Sequence, residues 1–467
     1  MTGPIVENTG FSSLSLQPAL LDNLVSLNYR EMTPIQAQGL PLILQGKDVI
    51  AQAKTGSGKT ATFALGLLQA LNVKRFRIQS LVLCPTRELA DQVATEIRRL
   101  ARTIHNIKVL TLCGGVAYGP QKGSLEHGAH IIIGTPGRVE EHLRKGNLRL
   151  NELSTLVLDE ADRMLDMGFS DVLDAILLQV PVKRQTLLFS ATFPHDIAQL
   201  AARVMKEPQR ITIEEQHTAS SIRQLIYRVP SKQARTSTLI RILLDHQPDS
   251  ALVFCNTKQL TEEVAAALVE KGFSATALHG DFSQKERDSK LLRFANASIS
   301  VLVATDVAAR GLDIDALDMV VNYHLPRDVE VYTHRIGRTG RAGSAGLACS
   351  LFLDGEENRI ELLEAVTQQE LEETELPSSQ EKRRPNSPPM VTLQIDAGKK
   401  QKVRPGDLLG ALTADGGIKG AQVGKIKVLE LTTYVAVERE AVKKALNVLQ
   451  RGKVKGRSFR ARRLGAL

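Results

Sequence analysis

No run of about 18 apolar residues occurs among the 467 residues of the chain, so no transmembrane helix is expected. The opening stretch, MTGPIVENTG, has neither a basic start nor an apolar core, and does not read as a secretory signal. Cysteine is scarce. The four residues Cys84, Cys113, Cys255 and Cys349 are scattered, with no C-x-x-C spacing. That argues against a disulfide framework and against a thiolate metal site. Three of them sit in apolar, strand-like runs, where a buried free thiol is the expected state. A reducing, cytoplasmic setting fits.

Acidic residues are also scarce in one place. From Met390 to Leu467 there are 17 Lys/Arg against 6 Asp/Glu, a net of +11. The whole chain carries +9, so everything before Met390 nets −2. A near-neutral body with a basic terminal segment is the footprint of a nucleic-acid-binding module attached to an enzyme. A merely solvated basic tail would lack the hydrophobic periodicity that this segment has.

The length suggests about three domains at roughly 150 residues each. In residues 1–213, short β-branched runs such as Asp48–Ala51, Leu81–Cys84, Ile131–Ile133, Leu156–Leu158 and Thr186–Phe189 alternate with helical stretches. Strands apolar on both faces and separated by helices predict a parallel sheet covered on both sides. The pattern restarts in residues 214–355, with Ala251–Phe254, Ala275–Leu278, Val301–Ala304, Met319–Val321 and Leu347–Ser350. Two tandem α/β domains with a cleft between them are expected. Residues 356–390 read as an acidic helix from Glu356 to Glu375 and then a Pro-rich, charged flexible linker. Residues 391–467 read strand (Val391–Ile395), helix (Pro405–Thr413), strand (Lys425–Leu429), strand (Thr432–Val437), helix (Glu440–Leu449), strand (Ser458–Arg463). That order is the plan of an α+β, RRM-like domain.

Ala53-Lys-Thr-Gly-Ser-Gly-Lys-Thr60 follows a strand and opens a helix. Its backbone N–H groups, at Ala53, Thr55, Gly56, Ser57 and Gly58, can wrap a phosphate. Lys59 can reach the β and γ phosphates, and the Thr60 hydroxyl can bind Mg²⁺. Ala53 stands where the pattern usually begins with glycine. Asp159-Glu160-Ala161-Asp162 ends the apolar run Thr155–Leu158. A carboxylate at the tip of a buried strand facing the phosphate loop can hold Mg²⁺, and the next can activate water. Asp159 is assigned to the metal and Glu160 to the general base. Taken alone, the same four residues also read as a capped helix start.

With these motifs the chain resembles the DEAD-box helicases, over nearly all of residues 11–352. That likeness implies two RecA-like domains and an ATP-dependent RNA helicase. Tyr29 and Met32-Thr-Pro-Ile-Gln36, with Phe11 upstream, look like the Q motif. By resemblance Gln36 hydrogen-bonds adenine and Tyr29 stacks on it, although Asn28 and Met32 replace the usual Gly and first Pro. Ser190-Ala191-Thr192 resembles the motif that couples hydrolysis to unwinding, its hydroxyls able to bond Asp162. His334-Arg335-Ile336-Gly337-Arg338-Thr339-Gly340-Arg341 implies two arginine fingers, Arg338 and Arg341, and His334 as a bridge to the DEAD carboxylates. Asp306 and Asp313 flank a loop similar to the motif that touches ribose and RNA, with Asp313 on the ribose.

The likeness also implies an RNA path. In the first domain it runs over Arg87, Gly115, Thr135 and Arg138, and in the second over Asn256, Gly280, Arg287 and Thr305. The terminal segment resembles the C-terminal domain of DEAD-box helicases of the DbpA type, through Ile395–Lys400, Arg404–Leu412 and Gly424–Ile426. That type implies action on 23S ribosomal RNA in pre-50S particles, as a monomer. An RRM usually stacks bases on two or three rings. Here the first strand has none and the third has only Tyr434, so RNA recognition is expected to lean on Lys399, Lys400, Lys425, Lys453 and Lys455. A different class remains open: an ATP-gated RNA clamp or scaffold with little strand separation.

Overall fold

A computed structural model describes residues 10–53, 56–213, 222–309, 317–340, 345–367, 371, 373–378, 383–414, 417–452 and 454–464. Among these residues seventeen strands form three sheets. The first sheet comprises β1 (Val49–Gln52), β2 (Ser80–Leu83), β3 (Val109–Leu112), β4 (Ile131–Gly134), β5 (Thr155–Asp159), β6 (Gln185–Ser190) and β7 (Gln209–Thr212). They lie in the order β3-β4-β2-β5-β6-β1-β7, and every pairing is parallel. The apolar runs explain this. Leu81–Leu83, Ile131–Ile133 and Leu156–Leu158 are buried on both faces, which requires helices above and below. Two apolar layers result. One packs Val82, Ile133 and Val157 against Phe63 and Val93, and the other packs Leu81, Ile132 and Leu156 against Val139 and Leu173.

The second sheet holds β8 (Ile222–Arg228), β9 (Ala251–Phe254), β10 (Ala275–Leu278), β11 (Val301–Ala304), β12 (Met319–Asn322) and β13 (Gly346–Phe352). Its order is β10-β11-β9-β12-β13-β8, again all parallel. Among the described residues the expected acidic helix spans Glu357–Thr367, and residues 373–378, its expected end included, are not helical. Beyond it the chain returns to the sheet edge. Thr374 N donates to Ile226 O at 2.7 Å, and Arg228 gathers Asp354, Glu357 and Glu373 at 2.6–3.0 Å. The otherwise unpaired edge of β8 and the Arg228–Glu373 pair hold residues 373–374 against the sheet.

The third sheet, β14 (Met390–Ile395), β15 (Val423–Val428), β16 (Thr433–Glu438) and β17 (Ala461–Arg463), is antiparallel in the order β15-β16-β14-β17. Helices Pro405–Thr413 and Val442–Arg451 pack on one face, where Leu393, Ile395, Leu408, Leu412, Val435, Val437 and Leu449 form the core. The fold is therefore two RecA-like parallel-sheet domains plus a small α+β RRM-like domain. The last strand is only three residues long, half of what alternation suggested.

The opposite face of this small sheet is covered too. Thr392 and Ala436 are each 1% exposed. Thr392 Oγ1 shares a hydrogen bond with Ser298 Oγ (2.7 Å) and accepts one from Asn296 Nδ2 (3.3 Å). Met390 N donates to Ala297 O. The stretch expected to be a flexible linker has no regular structure over 383–388. It is nevertheless tied down: Gln247 donates to Arg384 O, and Arg439 donates to Pro388 O and Pro389 O. All four cysteines are free and buried. Among the described residues no helix is long and apolar enough to cross a membrane.

Candidate nucleotide and RNA sites

Parallel strands bring all their C-terminal ends to one rim, where an α/β sheet binds ligands. In the first sheet the phosphate loop follows β1, the four acidic-motif residues 159–162 end β5, and Ser190–Thr192 follow β6. These three strands are neighbours in the order β5-β6-β1. Sequence reading named these motifs, and strand order makes them one site.

Ala53 N bonds Ser190 O at 3.0 Å, joining the start of the loop to the end of β6. Gly56 and Gly58 have φ of 86° and 96°. At Gly58 a Cβ would lie 2.6 Å from Gln36 Nε2 and 2.7 Å from Thr33 Oγ1. Both the backbone conformation and this close approach demand glycine. Lys59 starts the helix Lys59–Ala70, with Thr60 in its first turn. Its ammonium is buried and donates to Ala53 O at 2.6 Å, inside the loop it is expected to serve. Ser57 and Thr60 are half-buried, and Thr55 lies outside the described residues.

Gln36 is 2% exposed. Its Oε1 accepts from Thr33 N (2.9 Å) and its Nε2 donates to Gly58 O (3.3 Å). The amide thus ties its own helix start to the phosphate loop, and one amide hydrogen and one carbonyl lone pair stay free of these bonds. Tyr29 meets buried Phe11 edge-on at 6.1 Å, and its hydroxyl donates to Glu96 at 2.6 Å. Burial first, then the Glu96 contact, pushes the phenol up to about 12, so it stays a neutral donor.

Asp159 is fully enclosed. Burial pushes its carboxyl up to about 7, with Glu160 and Asp162 adding to the rise and Lys59 opposing it. Its Oδ1 is buried and takes no hydrogen bond from the described residues. An orphaned, desolvated carboxylate oxygen beside a phosphate loop fits a hard cation. Mg²⁺ is ordinarily held by one or two carboxylates with phosphates and water. Glu160 sits at φ 52°, ψ 52°, the left-handed region, as N-cap of the helix Ala161–Asp166. A non-glycine residue there costs energy and often marks a functional turn. Asp162 Oδ2 accepts from Ala191 N, Thr192 N and Thr192 Oγ1, each at 3.1 Å. Burial alone would raise its pKa. The Thr192 bonds, with the Arg163 and Lys59 charges, hold it below the usual carboxylate range instead, while the buried Ser190 hydroxyl, expected to bond Asp162, takes no hydrogen bond from the described residues.

The residues expected to touch RNA occupy the other half of the same rim. Arg87, Gly115 and Thr135 follow β2, β3 and β4, adjacent in the order β3-β4-β2. Thr86 caps the helix that Arg87 begins. Gly115 is exposed at φ 71°. Arg138 donates to Val116 O (3.0 Å), pairs with Glu141 (3.1 Å) and lies 5.6 Å from the Tyr118 ring centre.

In the second sheet, Asn256, Gly280 and Thr305 follow β9, β10 and β11, again adjacent, and Arg287 lies in the first turn of the helix Gln284–Ala295. His334 is half-buried in the helix Val329–Ile336, and Arg338, just after it, is 5% exposed. Arg341 and Asp313 lie outside the described residues. Sequence reasoning missed Arg335. Its Nε and Nη2 hold both oxygens of Asp306 at 2.7 and 2.8 Å, and its Nη1 donates to Asn322 and His324 O. Asp306 is thereby spent on anchoring the helix Val329–Ile336. A bidentate pair of this kind fixes orientation as well as position. In the small domain Lys399, Lys400, Lys425 and Lys455 are exposed. Lys455 also reaches Lys402 O (3.1 Å) and Asp407 (3.6 Å). Lys453 is outside the described residues. Tyr434 is half-buried on the sheet face that Thr392 and Ala436 share.

Three family models match along the chain: DEAD/DEAH box helicase over residues 33–200, the helicase conserved C-terminal domain over 234–343, and the DbpA RNA binding domain over 392–463. The chain is 53% identical over 457 residues to the ATP-dependent RNA helicase DbpA of Escherichia coli, covering 98% of this chain and 100% of that one. It is 43% identical over 374 residues to the DEAD-box ATP-dependent RNA helicase CshA of Geobacillus kaustophilus, covering 80% of each. Among solved structures, Dbp5 of S. cerevisiae bound to RNA and ADP BeF3 is similar with a TM-score of 0.72 at 31% identity, covering 79% of this chain and 96% of that one. The phosphate loop and acidic strand end on one rim, the three matching family models and the identity to relatives together place this chain in the DEAD-box family of ATP-dependent RNA helicases.

Proposed function

We propose that this helicase uses ATP with Mg²⁺ to remodel 23S ribosomal RNA in pre-50S particles, as a cytoplasmic monomer whose C-terminal domain selects the RNA. The observation that carries the choice of RNA is the separation of charge. The +11 lies wholly in the last 78 residues, in a segment matching the DbpA RNA binding domain, while the helicase motifs address a sugar–phosphate backbone that carries little sequence information.

For the chemistry, backbone amides of Ala53–Gly58 and the Lys59 ammonium bind the phosphates. Thr60 and Asp159 hold the Mg²⁺, which when bound neutralises charge on the phosphate oxygens. Glu160 accepts the proton of the attacking water. Arg338, Arg341 and His334 stabilise charge developing on the γ-phosphoryl group, Asp313 holds the ribose, and Phe11, Tyr29 and Gln36 select adenine. Asp162, Ser190 and Thr192 couple hydrolysis to the RNA path.

Base choice is directly testable. Gln36 can pair with the N6 and N7 edge of adenine but mismatches the O6 of guanine. One missing hydrogen bond is worth about 1.4 kcal/mol, roughly tenfold. We expect kcat/KM for ATP to exceed that for GTP by at least about tenfold. Equal use of GTP at subsaturating concentration removes Gln36 and Tyr29 from the adenine site.

Choice of RNA is tested in the full chain with Lys399→Ala, Lys400→Ala and Lys425→Ala combined. All three side chains are exposed, so the fold should be unaffected. The RNA concentration giving half-maximal ATPase should rise for a 23S ribosomal RNA fragment and change little for an unrelated RNA. The salt dependence of binding should flatten by about one log–log unit for each phosphate that the variant no longer neutralises. An unchanged ratio between the two RNAs would put the selectivity elsewhere.

A further inference from the structure

Three carboxylates, Asp159, Glu160 and Asp162, crowd one strand end, all less than 9% exposed. Buried like charges need cations, and two buried ones stand beside them. Lys59 belongs to the phosphate loop. The other is Arg163, 4% exposed, in the first turn of the helix that Glu160 caps. Its Nη1 donates to Glu160 Oε2 at 3.0 Å, with both side chains almost wholly out of solvent. Glu160 Oε1 takes no part in this pair. The backbone N of Arg163 donates to Asp162 Oδ1 at 3.0 Å. Asp162 holds Thr192 through its other oxygen. One residue therefore grips one carboxylate with its side chain and another with its main chain.

We infer that Arg163 positions Glu160 for water activation, holding Oε2 so that Oε1 faces the water. This rests on the reading of Glu160 as the general base. The physical need is specific. Glutamate has three side-chain torsions, and the left-handed backbone at Glu160 sets only where they begin. A base must stand within about 0.5 Å of its productive place, and a misplacement of about 1 Å can cost roughly 100-fold in rate. Burial makes the pair directional: an isolated buried carboxylate pays a desolvation penalty that only a well-placed partner repays. Without Arg163, the remaining buried cation is Lys59, and turning toward it would take Glu160 away from water and into the phosphate site. Arg163 touches no reacting atom in this scheme and is a positioning residue.

The test uses the full-length protein and compares Arg163→Met, Arg163→Lys and Glu160→Gln with the wild type. The measurements are steady-state ATPase at saturating RNA, KM for ATP, RNA affinity and the unfolding midpoint. Arg163→Met should lower kcat about tenfold to 100-fold, with KM and RNA affinity within about twofold. Arg163→Lys, which restores one cationic donor, should recover part of the loss. If Glu160→Gln abolishes turnover but Arg163→Met keeps kcat within about twofold of wild type, the positioning role is wrong. A loss shared equally between kcat and KM, with no rescue by lysine, would make Arg163 a packing residue only and also overturns the inference. Retained turnover in Glu160→Gln instead overturns the reading of the base itself. Should Arg163→Met fail to fold, the kcat–KM split in Arg163→Lys decides: kcat lowered alone supports positioning, and a value unchanged from wild type refutes a geometric demand on the guanidinium.

Discussion

Replacing Glu160 with glutamine is expected to leave ATP and RNA binding near wild type while steady-state ATPase falls by about 10²–10⁴, the usual worth of a general base. Glutamine keeps the shape and the left-handed N-cap geometry (φ 52°), and it can still accept the Arg163 hydrogen bond through its amide oxygen. It cannot take a proton from water. RNA should dissociate more slowly from the ATP-bound variant, because hydrolysis no longer ends that state. Lys59→Ala is the contrasting case. Its ammonium is expected to bind ground-state phosphates, so KM for ATP should rise along with the loss in rate. The check is a paired measurement: nucleotide binding at equilibrium and turnover at saturating ATP and RNA. Near-normal turnover in Glu160→Gln would refute the assignment of the base, whatever happens to binding.

The second large effect is expected at the arginines of the His334–Arg341 motif. Arginine fingers can be worth about 10³–10⁵ in rate. Arg341→Ala and Arg338→Ala should each lower kcat by about 10³, with RNA affinity within a few-fold. An interaction made mainly in the transition state reduces kcat and kcat/KM together and leaves ground-state binding alone. Arg338 is 5% exposed, so its variant needs a parallel melting curve to separate an effect on chemistry from an effect on folding. Arg335→Ala is the internal control. It breaks the bidentate grip on Asp306 and should lower the unfolding midpoint as well as the rate. If Arg341→Ala instead weakens RNA binding in proportion with kcat intact, that arginine belongs to the RNA path.

Several features of this protein were determined locally, and so by sequence alone. Runs such as Leu81–Leu83 and Val301–Val303 are apolar at every position. A strand of that kind must be buried on both faces, and only a parallel sheet between helices supplies this. The phosphate loop was legible because its glycines answer a backbone demand, seen at Gly58 as a positive φ and a Cβ with no room. The helix Pro405–Thr413 starts where its proline and acidic first turn indicated, and the basic charge of the last segment needs no coordinates.

What the tertiary structure decided is what depends on contacts between distant residues. Strand order put the nucleotide motifs on β5-β6-β1 and the turns expected to contact RNA on β3-β4-β2. No local period encodes which parallel strands become neighbours. Residues 373–374, expected to be helical, lie instead against β8, where Arg228, more than 125 residues earlier in the chain, pairs with Glu373 and Thr374 N bonds Ile226 O. In sequence Asp306 only flanks a loop that resembles a ribose- and RNA-contacting motif, and Arg335 turns out to hold both of its oxygens. On the outer face of the small sheet Ser298 and Asn296 bond Thr392, a contact across about 95 residues of chain that no local pattern signals. Arg163 is one more charged residue on a short helix until burial removes the water around it. A charge reads as a surface residue in sequence, and only packing shows which charges have shed their solvent and must find each other instead.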